Sequence, residues 1–156
     1  MKAALYPGRF QPFHFGHITA IKEILKQYLF VIIGVRKVRV DGKKNVFNSE
    51  RVVKIINIVL AESGISSKSY KVVVIPDMSY DWYSKLKYLK FDVVFAGNPA
   101  LKKPFRNHCK VFHLSRKNQN HGISATNIRS LIKLRRPIYE YVGFEAEKFI
   151  YDSIVK

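Results

Sequence analysis

Five short runs of apolar, β-prone residues, separated by stretches of helical periodicity, constrain this chain more than anything else in it. They lie at residues 3–6, 29–33, 72–75, 93–96 and 111–114. Each is continuously apolar rather than alternating, the pattern of a strand buried on both faces of a parallel sheet. Residues 16–27 place Ile18, Ile21, Ile24 and Leu25 on one helical face, and residues 49–62 do the same with Val52, Ile55, Ile56, Val59 and Leu60. Two more helices are expected over 124–134 and 144–154. This βαβα order predicts an α/β fold, a doubly wound parallel sheet with right-handed crossovers. A chain of 156 residues suits one domain, 1–156. There is no internal repeat. The long irregular stretch, 34–48, is basic through Arg36, Lys37, Arg39, Lys43 and Lys44 and follows the second run. Because ligands of such sheets bind beyond the carboxyl ends of the strands, this loop is expected to border the site.

Composition narrows the partners. Lys and Arg number 28 against 11 Asp and Glu, a formal charge of +17, which favours polyanions. Nucleic acid, nucleotide phosphates and simple solubility all remain open on charge alone. No zinc-finger spacing, aromatic RNA-binding signature or GxxG clamp is present to favour the first. The single cysteine, Cys109, cannot close an intrachain disulfide, so a reducing, cytoplasmic setting is expected. Neither a signal peptide nor an apolar run of about 18 residues is visible, so the chain reads as soluble.

Chemistry enters at the end of the first run. Gly8-Arg9-Phe10-Gln11-Pro12-Phe13-His14-Phe15-Gly16-His17 leads into a helix, with two histidines three apart at its start. That places them on one side, close to the unpaired N–H groups and positive dipole end of the helix. Gly16 would let a phosphate approach the backbone, and Arg9 offers a forked donor for its oxygens. The Walker pattern is missing, which excludes a P-loop kinase. Downstream, Gly122-Ile123-Ser124-Ala125-Thr126-Asn127-Ile128-Arg129 opens another helix, with Ser124 as its natural N-cap and Arg129 a turn and a half in. Hydroxyls and an arginine at a helix start again suit an anion.

Taken together, His14-x-Gly16-His17 and Ile123-Ser124-x-Thr126-x-Ile128-Arg129 resemble the HxGH-type nucleotidyltransferase superfamily. The longer run from Gly8 to His14 is most similar to the archaeal-type nicotinamide-mononucleotide adenylyltransferases. Further similarity lies at Phe47, Glu50-Arg51, Pro76-Asp77, residues 91–94 and Gly97-Asn98-Pro99, so it extends from residue 2 to about 140. The resemblance implies a Rossmann-like sheet, ATP with Mg²⁺, nicotinamide mononucleotide as acceptor, NAD and pyrophosphate as products, and often a hexamer. It also implies roles: His14 and His17 on the phosphates, with His17 on the α-phosphoryl group, and Arg9 on phosphate oxygens. Ser124, Thr126 and Arg129 would hold the β- and γ-phosphates. Gly8, Phe10, Gly97, Asn98 and Pro99 would shape the pocket, Lys44 stands where the family often has an arginine, and Trp82 falls where it places an aromatic near the nicotinamide ring. A buried core tryptophan is the other reading of Trp82.

The sequence departs from the family after the second run. A Gly-Ser-Ala-Gln-like turn is usual there, whereas Gly34 here is followed by Val35-Arg36-Lys37, and Asn45-Val46-Phe47 replaces an Asp-Pro-Phe or Asn-Pro-Phe. Phosphopantetheine, FMN or glycerol phosphate therefore remain alternative acceptors, and a nucleic-acid-binding protein on the same fold is a third reading. His108, Cys109, His113 and His121 match no zinc spacing, and no protein metal site is expected from them. Asp77 and Asp81 are set aside, because Mg²⁺ of this kind is held mainly by substrate phosphates.

Overall fold

The computed structural model describes residues 2–114 and 123–154. Five strands form one parallel sheet: β1 (Ala3–Gly8), β2 (Phe30–Arg36), β3 (Tyr70–Ile75), β4 (Val93–Ala96) and β5 (Lys110–His113), in the order β3-β2-β1-β4-β5. The chain winds outward from β1 to β3 and then returns to the other side of β1 at β4. The order thus reverses between β1 and β4, and a crevice opens beyond their carboxyl ends.

Strand pleating divides the core. Ala4 and Tyr6 of β1 pack into one apolar cluster, with Ile21 and Ile24 of α1 (Phe15–Leu25) and Ile55, Ile56, Val59 and Leu60 of α2 (Ser49–Glu62). Ala3 and Leu5 point into a second cluster with Trp82 and Leu86 of α3 (Trp82–Leu86) and Phe105. Each fully buried aliphatic side chain contributes about 1.5–3 kcal/mol. The first layer also holds α4 (Ala125–Lys133), α5 (Tyr139–Val142) and α6 (Phe144–Ile154), which bury Ile128, Ile132, Val142, Ala146 and Ile150. Glu62 at the end of α2 accepts the N–H groups of Phe144 and Glu145 at 3.2 and 3.3 Å, capping α6. Gly143, at φ +91°, permits this, since a Cβ there would meet Glu62 Oε2 at 2.7 Å.

Three expectations change. Leu29 is 72 % exposed and precedes β2, which runs on to Arg36. The third run is an edge strand rather than one buried on both faces, with Val74 42 % exposed, because it pairs with β2 alone. β5 is the opposite edge and leaves Lys110 and His113 exposed. His121 and Gly122 lie outside the described residues. Among the described residues no helix is long and apolar enough to cross a membrane.

Candidate active site

The crevice is built by the turn that follows β1. Phe10 adopts φ +52°, rare for a residue with a side chain, and folds its buried ring back toward Tyr6, Phe13 and His17. Gly8 is required by that fold-back, because a Cβ would stand 2.8 Å from the Phe10 ring. The peptide between Gln11 and Pro12 is cis. Gln11 is buried and locks the turn to the entry of α2, donating from Nε2 to Phe47 O and accepting from Phe47 N, both at 2.8 Å.

His14 is the N-cap of α1. Its Nδ1 accepts from Gly16 N at 3.0 Å, and His17 Nδ1 accepts from His14 N at 3.0 Å, which completes a capping box made of two imidazoles. An accepting Nδ1 leaves the ring proton of a neutral histidine on Nε2, so each cap bond fixes a tautomer. Burial pushes the His14 pKa down to about 4, and the ring is neutral at pH 7. The rings lie 3.9 Å apart, and His17 also stacks on Phe13 at 5.0 Å.

This cap corrects two expectations. The Gly16 N–H bonds the His14 ring and the His17 N–H bonds the His14 carbonyl, so neither backbone donor is left for a phosphate. His14 is only 2 % exposed, and the histidine that lines the crevice is His17. Side chains, rather than the helix start, are what the crevice presents to an anion.

The crevice, about 150 Å³, is lined by Gly8, Arg9, Phe10, His17, Gly97 and Arg129, together with Arg36 and Asn98. Ser124 caps α4 by accepting from Asn127 N at 3.1 Å. That cap sets the helix so that Arg129 reaches across the chain, donating from Nη1 to Gln11 O at 2.8 Å and from Nη2 to Thr126 Oγ1 at 3.2 Å. Burial, then the neighbouring Arg9 charge, pushes the Arg129 guanidinium below its ordinary value, and Asp41 opposes the shift. Three guanidiniums, of Arg9, Arg36 and Arg129, and an imidazole N–H donor gathered over so small a volume suit phosphate oxygens. Gly97 follows β4, and a Cβ added to it would meet no protein atom within 4 Å. Asn98 accepts from Ala100 N at 3.0 Å and so caps the turn 99–101.

Two larger cavities adjoin. One, of about 480 Å³, shares Arg129 and takes Thr126, Lys43, Arg51 and Phe47 into its lining. The other, of about 450 Å³, shares Arg9, Arg36 and Asn98 and adds Arg39, Asp41 and Asp77. Lys43, not Lys44, lines the first of these. The Asp41 carboxylate accepts the N–H groups of Lys43 and Asn45 at 2.8 and 3.0 Å, which folds 41–45 into a turn with Lys44 exposed. Pro99 faces a separate small cavity with Ala96, Lys102, Val111 and His113. Trp82 is fully buried. Its Nε1 donates to Pro76 O at 2.8 Å and its ring lies 5.4 Å from that of Phe105, so the core holds it and it lines none of the three cavities. His108 stacks on Tyr83 at 4.1 Å, and burial raises the Cys109 thiol. Among the described residues no three His, Cys, Asp or Glu side chains come together as metal ligands.

The sequence reading left out Gln11 as a strut and Asp77 as a lining residue. A glutamine between Phe10 and Pro12, in a run otherwise apolar, was the available signal for the first. For Asp77 the signal was the Pro76-Asp77 match after the third run, whereas its pairing with Arg36, 41 residues away, had none.

Residues 5–131 match the cytidylyltransferase-like family. A nicotinamide-nucleotide adenylyltransferase of Pyrobaculum aerophilum is 31 % identical over 145 residues, covering 90 % of this chain and 82 % of its own. One from Thermococcus kodakarensis is 30 % identical over 155 residues, covering 96 % and 82 %. In fold, the chain matches a bifunctional NMN adenylyltransferase/ADP ribose pyrophosphatase of Francisella tularensis, solved with AMP and a manganese ion. The TM-score is 0.79 at 19 % identity, over 99 % of this chain and 49 % of that one, so this chain spans about half its length. The HxGH-type crevice, the matched residues and these relatives agree: the chain belongs to the cytidylyltransferase-like family and, within it, to the nicotinamide-nucleotide adenylyltransferases.

Proposed function

We propose that residues 1–156 act as one adenylyltransferase domain that joins the phosphate of nicotinamide mononucleotide to the AMP half of ATP, forming NAD and releasing pyrophosphate. The observation that carries the reading is the crevice at the β1–β4 reversal, where Arg9, His17 and Arg129 converge. An oxygen of the acceptor phosphate attacks the α-phosphorus of ATP. The bond from that phosphorus to the α,β-bridging oxygen breaks, and its electron pair leaves with pyrophosphate.

The attacking phosphate is already anionic, so no protein nucleophile is required. Positioning and charge stabilisation carry the acceleration. Arg9 holds the acceptor phosphate against the α-phosphoryl group. His17 donates from Nε2 to the α-phosphoryl oxygens as charge builds there, with its tautomer fixed by the bond from His14 N. Arg129, braced by Gln11 O and Thr126, meets the departing β- and γ-phosphates. His14 is a positioning residue that holds the helix start and the His17 ring.

ATP enters as its Mg²⁺ complex. The donors around the crevice are guanidinium and imidazole groups, which fit a cation carried on the nucleotide's own phosphates rather than on protein carboxylates. A homo-oligomer, hexameric in the resembled family, belongs to the same proposal and is tested by sedimentation equilibrium.

Incubation with Mg-ATP and a panel of phosphorylated acceptors, followed by mass identification of the product, tests the reaction. The expected product is NAD from nicotinamide mononucleotide. Adenylylation of phosphopantetheine, FMN or glycerol phosphate with no NAD formed overturns the reading.

A further inference from the structure

We infer that Arg36 and Asp77 read the ring substituent of the acceptor and select a neutral carboxamide over a carboxylate. The inference rests on the adenylyltransferase reading and concerns the base end of the acceptor. The crevice, at about 150 Å³, is well below the ~300 Å³ at which small-molecule sites begin. A mononucleotide with its phosphate on Arg9 must extend into an adjoining cavity, and the 450 Å³ cavity is the one that shares Arg9.

Arg36 and Asp77 line that cavity together. Arg36 ends β2, where its sheet neighbour is Ile75, and Lys37 N donates to Ile75 O at 2.8 Å. Asp77 follows β3 by two residues, so both stand on the ends of hydrogen-bonded strands. Arg36 Nε and Nη2 each reach Asp77 Oδ1 at 2.9 Å, and Met78 N donates to the same oxygen at 2.8 Å. The arginine side chain is 13 % exposed and the aspartate 50 %. Both guanidinium bonds converge on Oδ1, so Nη1 and Oδ2 are the donor and acceptor the pair does not use on itself.

That combination complements a carboxamide, whose oxygen accepts and whose NH₂ donates. A carboxylate has no hydrogen to offer Asp77 and brings a second negative charge beside it. Arg36 does not offset this, since its charge is already matched at 2.9 Å. The residue that departs from the family's small, polar turn therefore supplies half of a discriminating pair.

The test compares kcat/KM for nicotinamide and nicotinate mononucleotides at saturating Mg-ATP, in the wild type, Asp77→Asn and Arg36→Gln. The wild type is expected to favour the carboxamide. Asp77→Asn removes the repulsion and shifts the ratio toward the carboxylate by about tenfold or more. Arg36→Gln leaves Asp77 unmatched and shifts the ratio the other way. A merely structural pair would lower both acceptors alike. A wild type that prefers the carboxylate, or a ratio unmoved by either substitution, overturns the inference and leaves the adenylyltransferase reading standing. A wild type that adenylylates neither acceptor refutes that reading, and this inference with it.

Discussion

Replacing Gln11 with alanine should loosen the site and the fold together. The side chain makes two 2.8 Å bonds to the backbone of Phe47, and both residues are nearly inaccessible, at 4 % and 2 %. Truncation leaves the Phe47 N–H and C=O without partners. At about 1–3 kcal/mol for each unsatisfied group, the loss is about 2–6 kcal/mol, toward the lower end where water enters the space. Because Gln11 O accepts from Arg129 Nη1, a shifted turn also unseats that guanidinium, so kcat/KM should fall with stability. Urea unfolding measures the first effect through its midpoint and slope, and steady-state kinetics the second.

Gln11→Glu sharpens the test. A carboxylate can still accept from Phe47 N but cannot donate to Phe47 O, whereas a carboxylic acid can. The folded state therefore favours the protonated form and raises the Glu pKa above its unfolded value of about 4.3. Relative to wild type, the variant's deficit should be small below that value and grow as pH rises toward the folded pKa. A Gln11→Ala protein within about 0.5 kcal/mol of wild type, with unchanged kinetics, would refute the reasoning.

Other perturbations separate the remaining roles. His17→Ala should keep the fold and bind ATP within several-fold, yet lower kcat by about 10²–10³, the ~2.7–4 kcal/mol of a fixed donor; near wild-type kcat in the folded variant would remove His17 from the chemistry. For His14, the folded pKa of about 4 lies below the unfolded value of about 6.5, so the unfolded chain binds the extra proton between them. That stability, about 3 kcal/mol, is present above pH 6.5 and lost as pH falls toward 4; His14→Asn keeps a capping acceptor and should abolish this component of the pH–stability profile. Trp82→Phe should lower stability through the lost bond to Pro76 O and leave the acceptor KM unchanged, and a large rise in that KM would return the ring to the site.

The sequence by itself determined the order of the five strands and of α1, α2, α4 and α6, because a parallel sheet covered on both sides needs continuous apolar runs and its helices need one apolar face. At five and four residues, α3 and α5 are too short to show a helical period. It also determined the anionic character of the ligand, since Arg9, His17, Ser124 and Arg129 carry their chemistry in their residue types. Local rules reached the Ser124 cap, whose acceptor and donor are three residues apart. Tertiary structure decided what depends on distant partners or on direction. Val72 to Ile75 read as an interior strand, and only the sheet order made β3 an edge. His14 and His17 both read as phosphate ligands, with His17 on the α-phosphoryl group, and the fold buried His14 as a neutral cap and left His17, packed against Phe10 and Phe13, lining the crevice. Trp82 could have stacked on a ligand or filled the core, and the α3 layer took it into the core. Arg36 read as one charge in a basic loop, until the β2–β3 register brought Asp77 to it across 41 residues. Periodicity and residue type are local properties of a chain. Burial, tautomer and ion pairing depend on which atoms the whole fold brings together.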